Sequence, residues 1–380
     1  MPRLCEIKEV DRRFYQEKLA SFLPDRMVDI HTHVWLKGFR RAPPTGRAVT
    51  WPLRVAEQNP VGDLIETYRL LFPGKAVQAL MFSFVESHED DFAGANAYVS
   101  RAAAGHGLAG LVFASPTWSA GRLEQEIMAG RFLGAKVYLT LSPSHIPVDA
   151  IRIFDFLPHH QLEVLDRHGW IVMLHIPRSA RLRDPVNLAD MLEIEQRYPN
   201  AKVIIAHVGR AYCPEDVGDA FRVLAQTQRL LFDISANTNA VVFEQLIRTV
   251  GPRRILFGSD LPITRMRMRR ICEQGSYVNL VPKGLYGDVS GDSHMREVRG
   301  TEAGALSFFL YEEIDAFRQA VQATGLTPRD VEDVFCNNAI RLLESARRGG
   351  RLKAAGPGDG SSRPGSSPID GESTKNQEVL

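Results

Sequence analysis

The sequence predicts an α/β fold, a closed (β/α)8 TIM barrel in a single domain, and three observations lead there. Eight short apolar runs recur along the 380 residues, amphipathic stretches such as Asp149 to His168 and Pro185 to Tyr198 separate most of them, and several runs end on a histidine or an aspartate. Apolar runs without polar alternation read as strands buried on both faces, the condition of a parallel sheet covered by helices. Alternating β and α units with eight strands close into a barrel whose active site lies at the strand C-termini.

Taken in order, the first run, Met27 to Ile30, leads into His31-Thr32-His33. Side chains on a strand alternate faces, so His31 and His33 project from the same side, where two imidazoles can bind one divalent metal. Val77 to Phe84 and Leu108 to Ala114 supply the second and third strands. Ala135 to Leu139 is the fourth and places Lys136 and Tyr138 on one face. Trp170 to His175 is a continuous apolar run closed by a histidine, and Lys202 to Val208 repeats the design with His207. Leu230 to Ser235 carries Asp233 and is followed by Asn237 and Asn239; Arg254 to Gly258 runs into Ser259-Asp260. A histidine buried in such a strand costs on the order of a few kcal/mol if unsatisfied, so each needs a partner. A core hydrogen bond explains one; a shared metal explains four histidines and an aspartate gathered at one end of a sheet.

Composition narrows the function classes. The chain is 44% hydrophobic, enough for a large core, and its net charge of +1 gives no field that would draw it to nucleic acid or an anionic membrane. No run is long enough to span a bilayer, and the charged residues from 6 to 18 leave no apolar core for a signal peptide, so a cytoplasmic location is expected. Cys5, Cys213, Cys272 and Cys336 are far apart and form no Cys-x-x-Cys pair, which reads as four reduced, incidental thiols. Residues 1–26 are expected to form a helical lead-in whose stripe of Ile7, Val10, Phe14 and Leu19 covers the barrel bottom or another helix. Residues 27–348 are assigned to the catalytic barrel. Residues 349–380, rich in Gly, Ser and Pro, lack apolar periodicity and are expected to be disordered.

The strand ends resemble those of the amidohydrolase superfamily, and within it the amidohydrolase-related group that includes aminocarboxymuconate-semialdehyde decarboxylase. The matching residues are His31-x-His33, His175, His207 and Asp260 in Gly258-Ser259-Asp260. Asn337-Asn338-Ala339-Ile340-Arg341-Leu342-Leu343 is similar to the Gly-Asn-Ala-x-Arg-Leu-Leu ending of such barrels, and the resemblance runs from Met27 to Leu343. It implies His31, His33, His175 and Asp260 as ligands of one divalent metal, zinc by donor type, and His207 and Asp260 as catalytic groups acting on water at the metal. If His207 is instead a ligand, the site is five-coordinate or binuclear. Lys136 stands where binuclear members carry a carbamylated lysine bridging two metals; holding an anionic substrate group and pairing with a buried carboxylate are the other two readings. The implied activity is hydrolysis of a C–N or C–O bond, the alternative a non-oxidative decarboxylation on the same site.

The loops give the expected substrate its charge. A long connection from Trp35 to Asn59, with Arg40, Arg41, Arg47, Trp51 and Arg54, reads as a lid. The connection after the eighth strand, from Leu261 to about Gly300, begins Arg265-Met266-Arg267-Met268-Arg269-Arg270. Those arginines read either as alternating between pocket and solvent to bind a substrate carboxylate, or as a solvated helix start and a contact between copies of the chain. Arg178 and Arg210 follow His175 and His207 by three residues and add positive charge near the metal. A small anionic molecule is therefore the expected substrate, contacted by Lys136, Tyr138, Arg178, Arg210 and Asn237. Asn237 and Asn239 serve equally well as caps of the following helix. His159 and His160 read as surface or packing residues, and His88, His106, His145, His168 and His294 have no strand-end placement.

Overall fold

The computed structural model describes residues 4–41 and 51–354. Arg47 and residues 355–380 of the expected tail lie outside them. Eight parallel strands follow in chain order: β1 (Arg26–His33), β2 (Ala76–Phe82), β3 (Ala109–Gly110 and Val112–Phe113), β4 (Gly134–Val137), β5 (Ile171–Leu174), β6 (Lys202–Ile205), β7 (Leu231–Asp233) and β8 (Ile255–Leu256). Each pairs in parallel with the next. Beyond β8 the ring closes on β1, where the Ile30 amide donates to the Phe257 carbonyl (3.1 Å) and the Asp260 amide to the His31 carbonyl (2.7 Å). This is the TIM barrel that the alternating runs predict, with strands shorter than the apolar runs, so His175, His207 and Asp260 lie just past the strand ends.

Alternation decides which side chains enter the barrel. Val28, Ile30, Leu80, Phe82, Leu111, Ile171, Met173, Ile204 and Leu256 pack together inside, with Ala339, Leu342, Leu343 and Ala346 of the last helix, Asn338–Ala354, plugging one end. Their neighbours Ala79, Met81, Val112, Ala135, Val137, Val172, Leu174, Val203 and Ile205 face the surrounding helices. Asn338 donates its carboxamide to the carbonyls of Pro252 and Ile255 (2.8 Å each). The Asn-Asn-Ala-Ile-Arg-Leu-Leu segment thus anchors the plug to β8.

The outer helices begin where the sequence offers caps. Asp91 accepts from the Gly94 amide at the start of Phe92–His106, Asp184 from the Val186 and Asn187 amides at Pro185–Arg197, and Asn239 from the Val242 amide at Ala240–Val250. The stretch from Asp149 is expected as one amphipathic helix; two single turns, Val148–Ala150 and Ile153–Asp155, come first, and the helix proper is His159–His168. Pro158 stands at its N-cap, where the ring cannot continue a preceding helix. The segment before β1 packs on helix Phe309–Thr324 through a Lys18–Asp315 ion pair (2.8 Å) and the Phe14 and Tyr311 rings. No helix of the described residues is long and apolar enough to cross a membrane.

The connection after β8 differs from a plain loop. It carries a hairpin of β9 (Arg269–Glu273) and β10 (Ser276–Pro282), with β11 (Met295–Val298) parallel to β10. Met266, Met268, Val281, Val289 and Met295 form its core against Ala236 and Phe309, so it sits over the turn after β7. No helix starts at the arginine run. Arg267 is buried and ion-paired with Asp11 (2.6 Å), Arg269 pairs with Glu312 at the surface, and Arg270 turns to the barrel mouth.

Candidate metal centre

The same alternation that builds the core aims the site residues. Ile171 and Met173 face inward, and the next residue of that phase is His175; Ala135 and Val137 face outward, which turns Lys136 inward. β1 needs a correction to its phase, because Val28 and Ile30 already face inward. A register irregularity between Asp29 and Thr32 supplies it and brings His31 and His33 to the interior. Just past β6 and β8 the backbone itself turns: His207 (φ 55°) and Asp260 (φ 55°) both adopt the left-handed conformation, uncommon outside glycine though more open to His and Asp than to most residues. Gly258 makes room beside them, since a Cβ there would lie 2.7 Å from that of His31.

Two groups of donors result, His31 with His175 and His207, and His31 with His33 and Asp260, each with its ligand atoms within 4.8 Å of one another. His33 Nε2 lies 3.3 Å and His31 Nε2 3.6 Å from Asp260 Oδ1. His175 Nε2 lies 2.7 Å from His207 Nε2. The outer nitrogens fix the tautomers. His31 donates Nδ1–H to Asp233 Oδ2 (2.8 Å), His33 to the Ser83 carbonyl (3.2 Å) and His207 to the Ser235 carbonyl (2.9 Å). The Nε2 lone pairs of His31, His33 and His207 are thereby left free for the two donor groups that share His31, and that of His31 is buried without a hydrogen-bond partner. A divalent metal would satisfy this arrangement; outer hydrogen bonds of this kind are what orient metal-bound histidines.

Charge follows the same logic. Burial pulls the His31 imidazole down to about 4, against the pull of Asp233, and drives His175 well below the usual histidine range, so both are neutral and able to ligate near pH 7. Burial would raise the Asp260 carboxyl, but the His33 ring beside its Oδ1 and the nearby His207 and His31 imidazoles outweigh it and hold the group well below the usual carboxylate range. Lys136 is fully buried with its Nζ 2.7 Å from His175 Nδ1, and burial brings its ammonium down to about 7. An amine that has lost its proton can accept from His175 Nδ1–H, which frees His175 Nε2 for the metal.

Sequence reasoning assigns Asp233 no part in the site, and the structure gives it one. Besides His31 Nδ1 it takes the His207 amide (2.8 Å) and the Ser235 hydroxyl (2.6 Å), so one carboxylate orients two histidines from outside the donor set. A carboxylate at the end of an apolar strand is the signal that could have found it.

Lys136, Tyr138, Arg178 and Arg210 line a cavity of about 410 Å³ above the donors, together with His33, His175, His207 and Asp260. Arg178 is ion-paired with Asp184 (2.9 Å), and Arg210 donates to the carbonyls of Ile176 and Pro177. Asn237 stands apart: it is fully buried, gives its amide to the Ala211 carbonyl, accepts from the Asn239 amide, and does not reach the cavity wall. His294, without strand-end placement, reaches the wall through the inserted sheet, as do Arg270, Tyr277 and Asp292. Trp51, from the expected lid, joins them and donates to Asp292 (2.8 Å).

The reading of four free thiols is corrected. Cys213 and Cys272 form a disulfide, and Cys5 and Cys336 are free. The inserted hairpin brings Cys272 to the loop after β6, a meeting across 59 residues that spacing alone does not reveal. Replacing both bonded cysteines with Ser is expected to cost about 4 kcal/mol of unfolding free energy by the loop-entropy relation for that separation. An unchanged urea midpoint would show that the bond does not hold the fold.

Solved structures with this fold include a zinc-bound amidohydrolase from Burkholderia multivorans (TM-score 0.50, 12% identity) and 5-carboxyvanillate decarboxylase from Sphingomonas paucimobilis (0.52, 12%). A third is a probable 2-pyrone-4,6-dicarboxylic acid hydrolase from Acinetobacter baumannii, bound to citric acid (0.51, 14%). Each comparison covers 84% of this chain and 99% of the other. No curated protein sequence matches significantly. The family model described as amidohydrolase matches residues 28–344, and the chain belongs to that family, an enzyme family whose fold serves both hydrolases and carboxy-lyases.

Proposed function

We propose that the chain is a zinc-dependent hydrolase of a C–N or C–O bond in a small anionic substrate. The observation that carries this reading is His31 Nε2, buried and unpartnered where four histidines and Asp260 converge. His31, His33, His175 and Asp260 would hold the metal, with Asp233 orienting the set. Bound there, zinc would act as a Lewis acid and make water nucleophilic near neutral pH. His207 is kept as an acceptor by its Nδ1–H bond to the Ser235 carbonyl, and its Nε2 accepts a hydrogen bond from the attacking water and polarises it. Asp260, held ionised, takes the proton of that water and hands it to the leaving group. Arg210, and less so Arg178, whose charge Asp184 offsets, gives the cavity the positive wall that suits an anion.

Lys136 is assigned to the anionic group nearest the metal. Lys136→Ala is expected to retain the metal and to raise KM roughly 10- to 100-fold, the worth of one charge-assisted hydrogen bond. Activity that depends on bicarbonate during reconstitution, with two metals bound, would make the lysine a carbamate instead.

A carboxy-lyase would use the same donors. Turnover in 18O-labelled water separates the two: the hydrolase reading expects one labelled oxygen in the product, and unlabelled product with release of carbon dioxide would replace it with the lyase. A cytoplasmic location belongs to the proposal with one condition. Cytosolic thiol systems keep most cysteines reduced, so the Cys213–Cys272 bond, buried at Cys213 but exposed at Cys272, would have to be too stable for the glutathione pool to reduce.

A further inference from the structure

The outer half of the cavity holds a charge that the metal chemistry does not use. Arg270, on β9, is only 8% exposed and lies on the cavity wall. Its Nε donates to Asn279 (2.9 Å) and its Nη1 to the Ala236 carbonyl (2.6 Å). Its guanidinium carbon lies 4.3 Å from the ring centre of Tyr212 and 4.6 Å from those of Tyr277 and Phe309. Arg178 and Arg181 on the same side are neutralised by Asp184 and Asp216, but no carboxylate of the described residues comes within ion-pair distance of Arg270.

An arginine cannot shed its proton to escape burial, so the charge persists. Ring faces attract it without cancelling it. Two neutral acceptors hold the side chain in place, and among the described residues none takes Nη2. A buried cation without a counter-ion is costly unless something else completes it. The opening beside it is the cavity, so whatever completes it arrives as a ligand. The walls set the shape of that ligand. Tyr212, Tyr277, Phe309, Trp51, Phe84 and Phe113 all line the cavity and offer ring faces on which a flat ring can stack. The Cys213–Cys272 bond ties the two sides of the cage, since Tyr212 adjoins one cysteine and Arg270 stands two residues from the other.

We propose that Arg270, caged by Tyr212, Tyr277 and Phe309, is a second anion subsite far from the reacting end, and selects planar substrates that carry a second, distal carboxylate. The proposal deepens the hydrolase reading and rests on it only for which end reacts. Planar guanidinium matches planar carboxylate with two parallel hydrogen bonds, a geometry that a lysine cannot reproduce.

Calorimetric titration with benzoate, isophthalate and terephthalate tests it, on zinc-loaded and on metal-free protein. At least one dicarboxylate is expected to bind roughly 10- to 100-fold more tightly than benzoate. Arg270→Gln, which keeps donors for Asn279 and Ala236, should erase that gap while benzoate binding stays. Arg270→Lys should leave a reduced gap, and it replaces the Gln variant should that one fail to fold. The gap should persist without metal, so a failure of the zinc reading leaves this result standing. Dicarboxylates that bind no better than benzoate, or an Arg270→Gln variant that weakens all three probes equally, would overturn the subsite.

Discussion

Replacing His31 with Ala is expected to strip the metal and reduce turnover to background. His31 belongs to both donor groups, so no pair of the remaining ligands compensates for it. The substitution also leaves Asp233, already buried and ionised, without the Nδ1–H that it accepts. Asp260→Ala should give the same double loss, because it removes the anionic ligand and the partner of His33 Nε2. Both variants should still fold, since the core on either side is formed by other residues, and circular dichroism checks this alongside metal analysis. Full metal content in either variant would place the ion elsewhere.

His207→Asn should behave differently. Metal content should stay near that of the wild type while turnover falls by roughly two to four orders of magnitude, the range of a positioned acid or base. In the proposed site four other groups would complete the coordination, and a group acting on water contributes to the transition state more than to metal affinity. The competing outcome is well defined, because His207 Nε2 also lies 2.7 Å from His175 Nε2 within a possible ligand group. Loss of metal in parallel with activity would make His207 a ligand.

The barrel is legible in the sequence because a parallel strand buried on both faces has few ways to be written, and the chain writes it eight times. The inward turn of His175 and Lys136 follows from the same regularity. Alternation also pairs His31 with His33, but it does not say on which side of β1 they emerge; the irregularity after Asp29 decides that, and nothing in the local sequence marks it. His207 and Asp260 are aimed by left-handed backbone, visible only once the chain has folded. The inserted sheet reads as a loop in the sequence although Met266 and Met268 alternate with arginines, a period of two that belongs to extended chain. Without that sheet its consequences stay hidden together: the disulfide, the arrival of His294 at the cavity, and the sorting of the arginine run into Arg267 for structure and Arg270 for the wall. The place of Asn237 after β7 suggests a substrate contact, but one turn of backbone spends its carboxamide on Ala211 and Asn239.

The central claim, one metal held by His31, His33, His175 and Asp260, is tested most directly by elemental analysis of the purified chain after dialysis, followed by chelation and reconstitution. The account predicts one zinc per chain, with activity lost on chelation and restored by zinc alone. Activity that survives complete removal of metal, or a chain that takes up none, would contradict it.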